Sequence, residues 1–85
     1  MDSSDPWYRG ALVPDRDGDW RVTAVARRSL ASEETFVCEA TGAAVPASST
    51  HLLVTVRRRG RFRDKTDEFV VLDEDTLRRW LEVGD

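Results

Sequence analysis

Isoleucine, asparagine and glutamine are absent from this 85-residue chain, and cysteine, histidine and lysine occur once each. A single cysteine cannot form an internal disulfide, which favours a reducing, intracellular compartment. No run of large apolar residues is longer than four, so no segment reaches the length that crosses a bilayer. The start, MDSSDPWYRG, has neither the basic region nor the apolar segment of a secretory signal. We therefore expect a soluble, cytoplasmic protein that does not enter a membrane.

The missing residue types also bear on the source of the chain. Twelve of the thirteen basic residues are arginine, and the net charge is −3. This bias is typical of a GC-rich genome, and together with the acidity it fits a salt-loving archaeon. A GC-rich bacterium fits nearly as well, so the bias says little about function.

The length predicts one small domain that covers residues 1–85. At 40% hydrophobic and 34% charged residues, the chain has the composition of a globular protein. A core of this size gives little stability, and dimerisation would be one way to add to it. We expect residues 1–5 to be loose, and we expect Trp7 and Tyr8 to anchor the N-terminal segment by covering an edge of the core.

The strongest pattern in the chain is the stretch 51–82, which reads as strand, basic turn, strand and helix. In 51–58 the apolar residues alternate, with Leu52, Val54 and Val56 facing the core and Leu53 on a partly covered second face. His51 lies opposite Leu52 in this pattern, which favours a rim position at the surface. Residues 69–72, FVVL, predict a partner strand, joined to the first by a long link over 58–67.

A helix is predicted over residues 74–82. Asp73 is a suitable N-cap, and the acids that follow it complement the helix dipole. Leu77, Trp80 and Leu81 form one apolar stripe, which should pack on the two strands. We expect Trp80 to contribute most to that contact.

The first half of the chain gives weaker signals. Residues 20–28, WRVTAVARR, alternate imperfectly and predict a strand, although the alanines would also suit a helix. Residues 35–39 predict a second strand, paired with 20–28 as a hairpin, and residues 43–50 should be irregular. The resulting fold class is α+β, with a small antiparallel sheet of about four strands and one C-terminal helix packed on it.

The basic loop, residues 57–65, carries six basic residues and one acid. Arginines around one aromatic residue, between two strands, can enter a groove or clamp phosphates, and arginine binds two phosphate oxygens at once. The candidate contact residues are Arg57, Arg58, Arg59, Arg61, Phe62, Arg63 and Lys65. The alternative is a solvated loop neutralised by Asp64, Asp67 and the acidic start of the helix. A third reading is a surface for a protein partner or for a second copy, because residues 66–85 are strongly acidic.

The segments VCEATGAAV, HLLVTV and EFVVLDEDTLRRWL together resemble small archaeal zinc-binding domains of the treble-clef and TRASH kind. The resemblance covers about residues 36–81 and implies that Cys38 stands at the first ligand position. Thr41, Leu72 and Thr76 then stand where the other three ligands would be. Structural zinc needs four donors, so the resemblance implies a degenerate zinc finger without metal, in which Leu72 and its neighbours fill the old site.

Catalytic chemistry has little support in the sequence. Cys38 is best read as a small buried residue, and nothing in the spacing brings His51 to it as a base for a thiolate nucleophile. We therefore expect no catalytic residues, no metal and no cofactor. The expected function is a non-enzymatic interaction module that binds an unknown protein partner or associates with itself as a homodimer. The alternative is a nucleic-acid-binding regulator that uses the basic loop.

Overall fold

The computed structural model of this protein describes residues 6–14 and 16–83. Within them the order of elements is β1 (Trp20–Arg28), β2 (Thr35–Val37), β3 (Ala44–Pro46), β4 (His51–Arg58), β5 (Lys65–Val71) and α1 (Glu74–Val83). Strands β1, β4 and β5 form one antiparallel sheet, and β2 and β3 form a second. The predicted α+β class with one C-terminal helix is confirmed, with the strands divided between two sheets. The expectation for residues 1–5 lies outside the described residues.

Strand β4 lies in the middle of the larger sheet, and its predicted range and alternation are confirmed. Leu52, Val54 and Val56 are all buried, while Leu53 on the other face is half-buried. Val54 stands opposite Val25 of β1 and Phe69 of β5. The apolar face therefore continues across all three strands of this sheet.

Strand β1 has the predicted range, but the predicted hairpin between 20–28 and 35–39 is wrong. Strand β1 pairs with β4, with Arg28 opposite His51. Strand β2 has three residues and β4 has eight, so β4 offers β1 a much longer hydrogen-bonded ladder. A bulge between Val22 and Ala24 shifts the register of β1, which explains its imperfect alternation.

Strand β2 pairs instead with β3, inside the segment 43–50 that was expected to be irregular. Gly42, at a φ of +79°, supports the turn between them, and the Cys38 N–H donates to the Ala43 carbonyl at 2.8 Å. Alanine and proline give β3 no strand signal, and Val45 is its one buried residue. The Glu39 N–H donates to the Val70 carbonyl at 2.8 Å, which places this hairpin beside β5.

Strand β5 begins at Lys65 and not at Phe69, as the apolar run had predicted. Residues 65–68 are all exposed, so they carry no apolar signal, yet they continue the ladder with β4 down to the pair Arg58 and Lys65. The loop between the strands is therefore 59–64, shorter than the predicted link.

Helix α1 begins after Asp73, whose Oδ1 accepts the Thr76 N–H at 2.8 Å, as expected of an N-cap. Leu77 and Leu81 are buried, but Trp80 is only half-buried and meets the Phe69 ring edge to face at 5.5 Å. Leu77, and not Trp80, is thus the fully buried residue of the stripe. No helix in the described part of the chain has the length and apolarity needed to span a bilayer.

Arg16 closes one end of the core. Its guanidinium lies 5.2 Å from the Trp20 ring and 5.1 Å from the Phe69 ring, and Nη1 donates to Asp67 Oδ2 at 2.9 Å. Nη2 lies 3.6 Å from Glu39 Oε2, while Nε is buried without a hydrogen-bond partner in the described structure. One side chain thus ties together the segment before β1, strand β5 and the turn after β2.

The N-terminal segment lies against the same fold. The Trp7 indole N–H donates to Glu74 Oε2 at 3.1 Å, and the Arg78 guanidinium lies 4.5 Å from the Trp7 ring. Tyr8 packs against the core and meets Trp7 edge to face at 5.5 Å. The expectation that Trp7 and Tyr8 anchor this segment is therefore confirmed.

Candidate functional site

The basic loop lies at one end of the larger sheet, where β4 turns into β5. Arg57 and Arg58 are the last residues of β4 and Lys65 is the first of β5. The other four candidate residues, Arg59, Arg61, Phe62 and Arg63, lie on the connecting loop. All seven are exposed, so the structure brings the whole predicted set together on one surface.

The loop is shaped by a glycine and an acid. The Gly60 N–H donates to Asp64 Oδ1 at 3.3 Å, which closes the loop from within. The Arg63 carbonyl approaches Gly60 so closely that a Cβ at this position would collide with it. Glycine is therefore required at position 60 by the close approach of the backbone.

The carboxylates that were expected to neutralise the loop mostly have other partners. Asp64 does pair with Arg57, with its Oδ2 3.4 Å from Nε. Asp67, however, pairs with Arg16, and Glu74 at the helix start lies near Arg27 and Arg78.

The remaining loop cations therefore lack acidic partners. Within the described residues, none of the other five has a carboxylate within ion-pair distance: Arg58, Arg59, Arg61, Arg63 and Lys65. Of the neutralisation expected from Asp64, Asp67 and the helix start, the described residues show the Asp64–Arg57 pair alone, and a solvated loop stays an alternative.

Phe62 lies among these cations with its side chain in solvent. It is 93% exposed, the highest value of any large apolar residue in the described chain. The Arg61 guanidinium is 5.9 Å from its ring centre. An exposed aromatic face beside a cation can stack on a planar group such as a nucleic-acid base.

A cleft of about 410 Å³ lies between the basic loop, strand β1 and the N-terminal segment. It is lined by Arg9, Gly10, Asp19, Arg21, Val22, Thr23, Arg57 and Arg59. A second hollow of about 230 Å³ lies at the loop and shares Arg59 with the cleft; its other lining residues are Arg58, Gly60, Arg61 and Lys65. The basic surface is thus larger than the predicted set, because Arg9 and Arg21 join it from the N-terminal part of the chain.

The sequence did not identify Arg9 and Arg21 as part of the basic surface, because their positions depend on strand pairing. The antiparallel register of β1 with β4 sets Arg21 directly opposite Arg57. Arg21 Nη1 donates to the Gly10 carbonyl at 2.8 Å, and Gly10, at a φ of +83°, donates to the Val22 carbonyl. Sequence reasoning would have needed the pairing of β1 with β4, which the pattern of residues 20–28 does not specify.

Cys38 is buried, as predicted, at 1% exposure. Its Sγ accepts the Leu72 N–H at 3.4 Å. Burial disfavours the thiolate, but hydrogen bonds from the Thr41 hydroxyl and from the backbone N–H groups of Leu72, Thr41 and Ala40 outweigh it, so the pKa of Cys38 lies below its ordinary value. A thiol in this position is polarised but enclosed.

His51 is buried at 3% exposure, so the predicted rim position is wrong. Its Nδ1–H donates to the Ser49 carbonyl at 2.8 Å, and its ring meets Phe36 edge to face at 5.5 Å. The β2–β3 hairpin, which the sequence pattern did not predict, supplies Phe36 and so covers the imidazole. In the described structure no hydrogen bond joins His51 to Cys38.

The four positions of the zinc-domain resemblance are neighbours in space. Thr41 and Leu72 both donate to Cys38, and Thr41 and Thr76 line one cavity of about 280 Å³ with Ala40, Arg79 and Trp80. Leu72 is 37% exposed. Within residues 6–14 and 16–83, no group of three histidine, cysteine or acidic side chains could hold a metal ion.

Comparisons of the chain with protein-family models, with curated proteins and with solved structures give no match. The relation to degenerate zinc-binding domains therefore stays a hypothesis that rests on spacing.

Proposed function

We propose that this protein is a non-enzymatic module that binds single-stranded nucleic acid through the basic loop at the β4–β5 turn. The observation that carries the proposal is Phe62, which is 93% exposed among arginines that have no carboxylate partner in the described chain. A phenylalanine ring in water has an unfavourable free energy of hydration, and covering the ring with an apolar surface is favourable. A nucleic-acid base that stacks on the Phe62 ring would cover it in this way, while the neighbouring guanidiniums bind the phosphates.

Single strands suit this surface better than duplexes. Bases are accessible for stacking only where they are unpaired, and stacking tolerates every base because each has a flat face. The basic loop supplies one exposed aromatic ring and several arginines, whereas a duplex keeps the flat faces of its bases stacked inside the helix. We therefore expect affinity for single strands with little preference for sequence.

The acidic net charge of −3 does not oppose this binding at short range. The acidic start of α1 lies at the far end of β5, and the seven residues Lys65–Val71 span about 20 Å. That distance is about twice the screening length of roughly 8–10 Å at moderate salt. A phosphate at the loop would mainly experience the local arginines.

The test is a fluorescence-anisotropy titration with a labelled single-stranded oligonucleotide and a duplex of the same sequence, at several salt concentrations. Phe62→Ala should weaken single-strand binding about tenfold and leave duplex binding nearly unchanged. The double charge reversal Arg59→Glu/Arg61→Glu should abolish binding to both. Affinity should fall linearly with salt on a double logarithmic plot.

Arg28→Gln is the matched control, because Arg28 is an exposed arginine at the opposite end of β1. It removes a positive charge from the protein without touching the loop, and it should leave the affinity within about twofold. Failure of the unaltered protein to bind any oligonucleotide at the lowest salt in which it stays folded would refute the proposal.

Self-association is a second candidate, supported by the separation of charge along β5. The basic loop lies at one end of this strand and the acidic helix start at the other. Two copies arranged side by side about a two-fold axis would pair each basic end with an acidic end. Sedimentation equilibrium at low and high salt measures this: a dimer that dissociates with salt supports it, and a monomer at every concentration excludes it. An acidic protein partner would use the same basic end.

A further inference from the structure

We infer that the cleft behind the basic loop is a phosphate-binding site in which Arg59 is the principal donor. The inference rests on the proposed function in taking the ligand to be a phosphate of the bound strand. The same chemistry would serve the phosphate of a free nucleotide, and the experiment below separates the two sources.

The composition of the cleft points to an anion. Among the described residues, four arginines and one carboxylate, Asp19, line it. They come from three separate segments: Arg9 from the N-terminal segment, Arg21 from β1, and Arg57 and Arg59 from the basic loop. A solvated surface would let such cations spread apart, but here the fold holds them around one concavity of about 410 Å³. That volume is in the range of small-molecule sites, which is roughly 300–1,000 Å³.

The register of the sheet gives a second argument. Arg21 stands directly opposite Arg57 on adjacent antiparallel strands. Like charges in directly opposite positions destabilise a sheet. A phosphate between the two guanidiniums would convert this repulsion into two charge-assisted contacts. Asp64 already offsets part of the charge of Arg57, and a phosphate would offset the charge that remains on the pair.

The side chains are also partly oriented in advance. Arg21 is held by the Gly10 carbonyl at 2.8 Å, and Arg57 is held through its Nε by Asp64 at 3.4 Å. Each of these contacts engages one guanidinium nitrogen and leaves others for a ligand. Arg59 has no hydrogen-bond or ion-pair partner within the described chain, and it lines both the cleft and the hollow at the loop. A strand whose base stacks on Phe62 could therefore continue past Arg59 into the cleft.

The experiment compares two arginines of the basic loop, one that lines the cleft and one that does not. Arg59 lines the cleft, whereas Arg63 lines neither the cleft nor the adjacent hollow. Arg59→Gln and Arg63→Gln each remove one positive charge from the loop. We expect Arg59→Gln to weaken single-strand binding about tenfold and to reduce the salt dependence by about one phosphate contact, and Arg63→Gln to act about threefold or less.

Small ligands form the second arm. Inorganic phosphate and adenosine monophosphate are titrated separately into ¹⁵N-labelled protein while the Nε–H signals of Arg21 and Arg59 are followed. Saturable shifts of both signals in the unaltered protein place the ligand in the cleft. In Arg59→Gln the Arg21 signal should then no longer shift. The thermal midpoint of each variant shows whether the variant is folded. Neither Arg59 nor Arg63 makes a side-chain hydrogen bond in the described structure, so neither substitution should lower the midpoint much.

The outcomes separate the site from the proposed function. Oligonucleotide binding with equal losses in Arg59→Gln and Arg63→Gln, and no shifts with phosphate, overturns the site while the loop keeps its function. Saturable phosphate shifts in the cleft without oligonucleotide binding support the site, with a free phosphate compound as its ligand, and remove the proposed function. Absence of both kinds of binding overturns both.

Discussion

Replacing Arg16 with methionine tests whether one guanidinium holds three segments of the fold together. Arg16 lies between the rings of Trp20 and Phe69 and donates to Asp67, and its side chain is 19% exposed. Methionine keeps most of the aliphatic stem, so the change removes the charge and the hydrogen bonds but little apolar contact.

The magnitude follows from three contributions. The two cation–π contacts stabilise by about 0.5–1 kcal/mol each. The ion pair with Asp67 is worth about 0.5–1 kcal/mol, since that carboxylate is 49% exposed and solvent screens it. Against these stands the buried Nε without a partner, whose cost of about 1 kcal/mol disappears in methionine. The net loss should be about 0.5–2 kcal/mol, equivalent to a fall in Tm of about 2–16 °C for a domain of this size.

The assay is urea unfolding followed by circular dichroism, in a double-mutant cycle with Asp67→Asn. The coupling free energy between the two residues should be about 0.5–1 kcal/mol. The Glu68 N–H and the Arg16 guanidinium hold the pKa of Asp67 below its ordinary value. Their contribution is therefore complete above the unfolded-state pKa and is lost as the pH falls through the folded-state pKa. In Arg16→Met this acid dependence should become shallower.

Arg28→Met serves as the control, because Arg28 is exposed at the end of β1 and has no ion-pair partner in the described chain. It should change the free energy of unfolding by less than about 0.5 kcal/mol. An equally small effect of Arg16→Met, together with a coupling near zero, would refute the reasoning and make Arg16 an ordinary surface arginine.

Three further predictions concern the core, the helix cap and the thiol. Leu77→Ala should cost about 3–4 kcal/mol and Trp80→Ala about 2 kcal/mol, because only Leu77 is fully buried; the reverse order in urea unfolding would contradict this. Asp73→Ala should cost about 1 kcal/mol at neutral pH. The Thr76 hydroxyl and N–H lower the pKa of Asp73, so this difference should vanish as the pH falls through the folded-state pKa, and a difference that persists in acid would argue against the cap. Cys38 should react slowly with a thiol reagent in the folded protein despite its lowered pKa, and a rate near that of the unfolded chain would show that it is accessible.

Local patterns predicted the elements whose signals are complete within a few residues. Strand β4 and helix α1 were predicted almost to the residue, since alternation, an N-cap and an apolar stripe are all short-range features. Strand β3 and the first half of β5 were missed because their residues are small or charged. Their strand conformation comes from the ladder with a neighbour, which no local pattern records.

The candidate site divides in the same way. Its loop residues, Arg57 to Lys65, are contiguous and were identified as one group. The partners of its charges were not identified: Asp67 was expected to neutralise the loop, but it pairs with Arg16. The burial of His51 likewise depends on Phe36, which arrives from a separate hairpin.

The sequence by itself determined the α+β class, the strand 51–58, the capped helix, the buried cysteine and the concentration of arginine between two strands. Only the tertiary structure decided that β1 pairs with β4, and with that pairing it set Arg21 opposite Arg57 and turned a basic loop into the edge of a cleft. The physical reason is the range of the interactions. Helix caps and apolar alternation act within one turn or one strand, whereas a cleft needs side chains that are distant in the chain, and their distances are set by strand register and by the packing of the core.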